Sequence, residues 1–325
     1  MAEDQHVSVV IPHWNRAGFL PACLGSLRGQ TYTRHEVILV DNGSTDGSLE
    51  LLRGEYPWVR VIELRANRGF AFAVNHGIEA ARGEFIALFN NDVQADPRWL
   101  EQLLSALGTH PEAGMATPKL LLDDRRELIN AAGDYYSLAG VPGNRGVWEE
   151  DRSQFDRMEY VFGPGGAASL FRRTMLEALC ETDAQGRREY FDEDFVSYCE
   201  DIDLAWRAQL AGYKCIYVPT SLAYHRLSAT GGGALASYYN GRNFLYVIAK
   251  DYPGALLKKY WPRILRAQWR ITWEALRAWR GEAARARLRG QLVGLLTFPR
   301  MLAKRRRVQR SRRLPDAELE ALLSH

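Results

Sequence analysis

The sequence predicts an α/β fold, with a mostly parallel central sheet flanked by helices and a helical C-terminal region. Three observations carry that expectation. Over the first 110 residues, apolar β-branched runs alternate with stretches of helical spacing, the pattern of parallel strands covered on both faces. Each run ends in a polar cluster, and open parallel sheets place ligands at the carboxyl ends of their strands. Beyond Gly233 the periodicity turns helical and stays so.

Val7–Ile11 reads as the first strand, ended by Pro12, and Ala17–Leu27 then has helical spacing. Glu36–Val40 is a second strand, closed by the turn-forming Asp41-Asn-Gly-Ser-Thr-Asp46. Val59–Leu64 is a third, leading through Asn67-Arg-Gly69 into a helix that runs to Ala81, with Asn67 suited to cap it. Glu84–Phe89 is a fourth, ending at Asn90-Asn-Asp92. Residues 110–230 are less periodic, with turn signals at Val141-Pro-Gly143 and Gly163-Pro-Gly165.

The chain has 325 residues, 46% hydrophobic and 25% charged, a globular make-up that excludes disordered and fibrous classes. Its four cysteines, Cys23, Cys180, Cys199 and Cys215, show no CxxC spacing, which favours a reduced compartment over structural zinc. No secretory leader pattern precedes the first strand, and no stretch approaches a membrane span. The net charge of +3 hides a split: residues 255–325 hold 18 Lys and Arg against 5 Asp and Glu, the remainder 24 against 34. An acidic body with a basic tail suggests chemistry in one and an anionic partner for the other.

Three phosphate-binding plans compete. A P-loop is excluded because no Gly-Lys pair occurs. Gly163-Pro-Gly165-Gly-Ala-Ala168 fits the letters of a dinucleotide fingerprint, but it lies mid-chain and contains Pro, so a glycine-lined pocket wall is the better reading. The third plan holds a nucleotide diphosphate through strand-end carboxylates and a divalent cation. Val7-Ser-Val-Val-Ile-Pro-His-Trp-Asn15, Val40-Asp-Asn-Gly-Ser-Thr-Asp-Gly-Ser48, Asn67-Arg-Gly-Phe-Ala-Phe-Ala-Val-Asn75, Asn90-Asn-Asp92 and Glu200-Asp-Ile-Asp-Leu-Ala-Trp-Arg207 occur in this order. Together they resemble the family 2 glycosyltransferases of GT-A fold, in particular the bacterial rhamnosyltransferase-like branch. Phe162–Ala168, His225–Thr230, Tyr238–Asn243 and Lys250–Pro253 extend the likeness, which covers about residues 5–255.

The resemblance implies a GT-A catalytic domain over 1–233, with a nucleotide-sugar half to about 110 and an acceptor half over about 111–233; the pattern beyond it gives a basic, amphipathic helical C-terminal region over 234–325. It places Pro12, Trp14, Asn15, Asp41, Asn67, Arg68, Asn91 and Arg242 at the nucleotide. Asp41, at a strand's carboxyl end, would accept from a pyrimidine N3–H; Arg68 is either a bidentate phosphate donor or a solvated side chain. Asp92 and His225 become ligands for Mg2+ or Mn2+, although Asn90 stands where the family's Asp-x-Asp has its first acid. Gly165, Gly166 and Ala167, with Glu200, line the sugar pocket. Asp201 of the Glu200–Asp201 pair becomes the base that takes the acceptor's proton, its neighbour raising its pKa, while Asp203 caps the helix or pairs with Arg207.

The expected reaction is inverting transfer from a nucleotide-diphospho-sugar, with dTDP-rhamnose first, to a lipid-linked or polysaccharide acceptor in envelope glycan synthesis. UDP- or GDP-linked donors and an idle sugar-nucleotide-binding scaffold are the alternatives. Between Lys258 and Arg280, Trp261, Leu265, Trp269, Trp273, Leu276 and Trp279 share about 120° of a helical wheel, beside Arg263, Arg266, Arg270 and Arg277. Trp beside Arg is the make-up of an interfacial helix, and Lys304–Arg313 is able to bind anionic lipid; packing on the body is the competing reading. The expected place is the cytoplasmic membrane's inner face, without nucleic acid and with a homodimer left open.

Overall fold

The structure, a computed structural model, describes residues 6–182, 186–226 and 233–324; Leu227–Thr230 of the His225 motif lie outside the described residues. The first half is β1 (Val7–His13), α1 (Leu20–Arg28), β2 (His35–Asp41), α2 (Ser48–Glu55), β3 (Arg60–Glu63), α3 (Phe70–Ala80), β4 (Phe85–Phe89), β5 (Val93–Ala95) and α4 (Trp99–Thr109). Then come β6 (Ala113–Leu122), β7 (Ile129–Ala131), β8 (Asp134–Tyr136), β9 (Pro142–Asn144), β10 (Glu159–Val161), β11 (Ala168–Arg172) and α5 (Arg173–Leu179). A short β12 (Glu181–Thr182) and β13 (Arg188–Glu189) pair leads to α6 (Glu200–Leu210) and β14 (Lys214–His225). Five helices finish the chain: α7 (Gly233–Lys250), α8 (Gly254–Arg277), α9 (Glu282–Leu296), α10 (Phe298–Arg310) and α11 (Asp316–Ala321).

The main sheet has the order β10-β14-β6-β11-β4-β1-β2-β3. β3, β2, β1 and β4 are parallel neighbours, β11 runs against β4 and β6, and β14 is parallel to β6. The four strands expected in the first third are all present. Alternation along β1 explains their apolar runs: Val7, Val9 and Ile11 enter one core with α1 and α4, whereas Val10 enters the other with α3. Both faces are covered, so the runs are mostly apolar, and a polar residue such as Ser8 is tolerated only because its hydroxyl is hydrogen-bonded to Glu36 and Gly83 N. β6, ten residues and buried throughout, is the long strand that the aperiodic middle concealed.

β14 carries a bulge between Val218 and Leu222, around Pro219, where a residue lacking an N–H is tolerated. Beyond the bulge it pairs with β5, with His225 opposite Val93. The C-terminal helices share a third apolar cluster with the middle of the chain, in which Tyr136, Phe162, Phe195 and Trp206 meet Tyr246, Tyr252, Ile264, Met301 and Leu319.

α8 buries Leu256, Ile264, Ala267 and Ala275, and turns Trp261, Leu265, Trp269, Trp273, Leu276 and Trp279 outward. Leu292, Leu295 and Leu296 of α9 and Leu302 of α10 are exposed as well. Burying each such side chain is worth about 1.5–3 kcal/mol, so a run of them left in water marks a surface with a use. The basic run behind them is paired in part, while Arg306, Arg310 and Arg313 stay exposed. Lys304 sits on Asp192 and Asp194, Arg307 on Glu181 and Arg312 on Asp316. Among the described residues no helix is long and apolar enough to cross a membrane.

Candidate active site

The candidate residues gather at the carboxyl ends of β1, β2 and β4 and at the start of α6. β1 and β2 pair in a register that sets His13 opposite Asp41. Buried Asp41 accepts at Oδ2 from the N–H groups of Gly43 (3.2 Å) and Ser44 (3.0 Å), and its Oδ1 has no hydrogen-bond partner among the described residues. Asn42 clamps the next loop: its Nδ2 donates to Asn67 Oδ1 (3.1 Å) and Gly69 O (3.0 Å), and its Oδ1 accepts from Arg68 N (3.0 Å). The Arg68 side chain is exposed and lies 3.8 Å over the Phe72 ring. Asn15 is tied to the turn after β2 through Ser44 Oγ (2.7 Å) and Thr45 N (2.9 Å). Pro12 lies in β1 opposite Val40, and Trp14 is exposed.

A buried polar chain fixes Asn91. Its Nδ2 donates to His13 Nδ1 at 2.8 Å, which leaves His13 Nε2–H for Ser48 Oγ at 2.9 Å; Ser48 in turn donates to Asp46. Burial lowers the His13 pKa, which agrees with a neutral ring accepting on one side and donating on the other. His13 and Ser48 were not singled out from the sequence; the β1–β2 register is what makes them partners.

His225 Nε2 stands 3.3 Å from Asp92 Oδ1, and His225 Nδ1 lies 2.9 Å from Asn130 Oδ1. With Nδ1 donating to Asn130 Oδ1, Nε2 is left bare toward the carboxylate, an arrangement also found around metal-binding histidines. A carboxylate oxygen and an imidazole nitrogen suit Mn2+ or Mg2+. Among the described residues no third His, Cys, Asp or Glu completes a cluster around them. The turn carrying Asp92 is joined to the glycine-lined wall by the bond from Asn90 N to Ala167 O, 2.9 Å.

That wall leads directly to Asp201. A Cβ on Gly166 would meet Asp201 Oδ2 at 2.5 Å, whereas one on Gly165 would meet only ordinary contacts at 3.4 Å and beyond. Asp201 and Glu200 occupy the first turn of α6, and Asp201 Oδ1 accepts from Ile202 N at 2.8 Å. The helix N-terminus favours an ionised acid there, but desolvation outweighs it. Burial pushes the Asp201 carboxyl up to about 6 and, with Asp201 beside it, Glu200 well above the usual range. A third carboxyl enters unannounced: buried Asp134 of β8 accepts from Asn144 Nδ2 at 2.7 Å, and burial and then Asp201 raise it too. Only the β8–β9 hairpin brings it here. Asp203 pairs with Arg207 at 2.8 Å.

The backbone entering α6 is strained: Val196, Tyr198 and Cys199 have φ of 64°, 68° and 65°. A positive φ costs a residue bearing a Cβ roughly 1–2 kcal/mol. The Tyr198 hydroxyl pKa is raised by burial and then by Glu200 and Asp92, so this segment lies between the Asp92–His225 pair and the Glu200–Asp201 pair. Gly69 abuts it, since a Cβ there would stand 2.5 Å from Val196 Cγ1. Arg242 is occupied elsewhere, donating to Asp194 O (2.8 Å) and Phe195 O (2.7 Å).

Residues 8–179 match the family model described as Glycosyl transferase family 2. The chain is 31% identical over 248 residues to N-acetylglucosaminyl-diphospho-decaprenol L-rhamnosyltransferase of Mycobacterium tuberculosis, an alignment spanning 69% of this chain and 77% of that enzyme. It is 32% identical over 245 residues to the protein y4gI of Sinorhizobium fredii, covering 70% of this chain but a quarter (25%) of that protein's length. In fold it resembles the mannosyltransferase PcManGT of Pyrobaculum calidifontis, solved with GDP-Man and Mn2+ (TM-score 0.56, 17% identity, 98% of this chain and 84% of that one). With a GT-A-like sheet, carboxylates at its strand ends and a family match across half its length, the chain belongs to glycosyltransferase family 2.

Proposed function

We propose that this protein is an inverting, divalent-cation-dependent hexosyltransferase of cell-envelope glycan synthesis, moving L-rhamnose from dTDP-rhamnose to a lipid-linked or polysaccharide acceptor. The observation that carries the reading is the Asp201 carboxylate, half-buried against the Gly166 wall, which is joined through Ala167 and Asn90 to the turn bearing Asp92. Asp201 takes the proton of the acceptor hydroxyl as that oxygen bonds to the anomeric carbon and the bond to the diphosphate breaks. A pKa of about 6 leaves it mostly ionised at neutral pH, yet a better base than an ordinary aspartate. Burial and the neighbouring Asp201 carboxylate raise the pKa values of Glu200 and Asp134 beside it.

Asp92 and His225 would hold the cation, which supplies charge stabilisation to the diphosphate leaving group. The unpartnered Asp41 Oδ1 suits a pyrimidine N3–H and supports a thymine or uracil nucleotide. The rhamnosyl donor and lipid-linked acceptor are supported by likeness to the mycobacterial enzyme. The exposed Trp and Leu face of α8, flanked by Arg263, Arg266, Arg270 and Arg277, supports peripheral attachment to an anionic membrane.

The test is hydrolysis and transfer across a panel of nucleotide sugars. dTDP-rhamnose should be consumed fastest and only with Mg2+ or Mn2+ present. Preference for a UDP- or GDP-sugar overturns the donor assignment, and inertness toward the whole panel favours the idle scaffold.

A further inference from the structure

The Glu200–Asp201 pair is delivered to the cleft by a 3-10 turn, Glu193–Phe195, and four residues of irregular backbone, three of them at positive φ. Such a path persists only where its surroundings over-determine it. Those surroundings come from α7. Asn243 is fully buried, and its Nδ2 lies 3.0 Å from Phe195 O, 3.0 Å from Ser197 O and 2.6 Å from Tyr198 O. Its Oδ1 accepts from Arg242 Nε at 2.8 Å, and Arg242 carries the carbonyls of Asp194 and Phe195. Lys250 and Lys304 hold the Asp192 carboxylate at the loop's other end, each at 2.6 Å. One amide therefore gathers the carbonyls immediately preceding the catalytic pair.

We propose that Asn243 is a positioning residue for glycosyl transfer, which through the carbonyls of Phe195, Ser197 and Tyr198 sets the backbone that aims Asp201 at the acceptor hydroxyl. An amide is required, because only an NH2 group turns two donors toward several carbonyls while its oxygen takes the Arg242 N–H. A carboxylate of the same shape would face those carbonyls with lone pairs and release the loop. Misplacing a reacting group by about 1 Å costs on the order of 10²-fold in rate. The inference rests on Asp201 being the base, and the helices at the chain's end then form part of the catalytic frame.

The experiment uses the full chain with Asn243→Asp, Asn243→Ser and Asp201→Asn, the donor that the panel selects and a melting curve for each. Asn243→Asp should lower kcat on the order of 10²-fold while donor KM stays near that of the parent, with Asn243→Ser, which keeps one donor, falling between. A folded Asn243→Asp variant with parental kcat overturns the proposal, as does an equal rise in KM. Loss of fold in both Asn243 variants assigns the residue to stability alone and also overturns it. If Asp201→Asn keeps full turnover, the base assignment has failed instead; if it is inactive while Asn243→Asp is active, the brace alone has failed.

Discussion

Gly166 and Asp201 are in contact across the cleft, so close that a Cβ on the glycine would stand 2.5 Å from Asp201 Oδ2. The glycine is required by the carboxylate, not by a turn, since its φ is not positive. Gly166→Ala should therefore push Asp201 aside and lower transfer at least about tenfold, with Gly165→Ala costing less. Steady-state kcat for the two variants checks this; a harmless Gly166→Ala would mean that the base has room to move.

Asp201→Asn should lower transfer at least about a hundredfold while nucleotide-sugar binding survives, because proton capture is lost and binding contacts are not. The parent enzyme's kcat/KM should fall on acidification through about pH 6, as the half-buried carboxyl takes up a proton. A pH–rate profile on the parent, with donor titrations on the variant, tests both.

The same burial makes a statement about stability. Asp201 has a folded-state pKa of about 6, above that of an unfolded aspartate. Its charged form therefore opposes folding at neutral pH, and the opposition is relieved as pH falls through 6. Asp201→Asn should melt a few degrees above the parent at pH 8, the difference shrinking below pH 6 and vanishing near pH 4. Equal melting points at pH 8 would show that the carboxylate is solvated.

Asp92 and His225 face each other at 3.3 Å with the imidazole turned by Asn130. Either residue changed to Ala should weaken donor binding in Mn2+ and leave it nearly unaltered in EDTA, because the ion couples the pair to the diphosphate. Calorimetric titration with and without the chelator reads the difference. Donor binding that ignores EDTA in the parent would leave the pair a structural contact.

On α8, Trp269 and Trp273 are 63% and 50% exposed with their rings stacked. Changing both to Ala should abolish co-sedimentation with anionic vesicles and leave the melting temperature within a degree or two of the parent. High salt should weaken binding only in part, since the arginine flank is screened and the apolar face is not. A clear loss of thermal stability with no vesicle binding by the parent would make this face a packing surface.

β1, β2 and β4 were legible because strands covered on both faces read as near-continuous apolar runs, and that local pattern survives in one dimension; β3, at the sheet edge with Arg60 and Glu63 exposed, kept only a short β-branched core. The turns after them were legible too, as polar clusters at predictable ends, and so was the one-sided α8. β6 was concealed because Gly114, Thr117, Pro118 and Lys119 interrupt its apolar run, although all ten residues are buried. The Lys304–Arg313 run looked free in sequence, whereas Asp192, Asp194 and Glu181 occupy Lys304 and Arg307 from more than a hundred residues away. Composition and motif order thus determined the fold class, the family and the residue types at the strand ends, all local in the chain. Tertiary structure alone decided that Asp134 joins Asp201, that Gly166 roofs it and that Asn243 braces the loop before it. Those relations depend on sheet register and helix docking, which bring distant residues within hydrogen-bond range, and no local periodicity encodes such a distance.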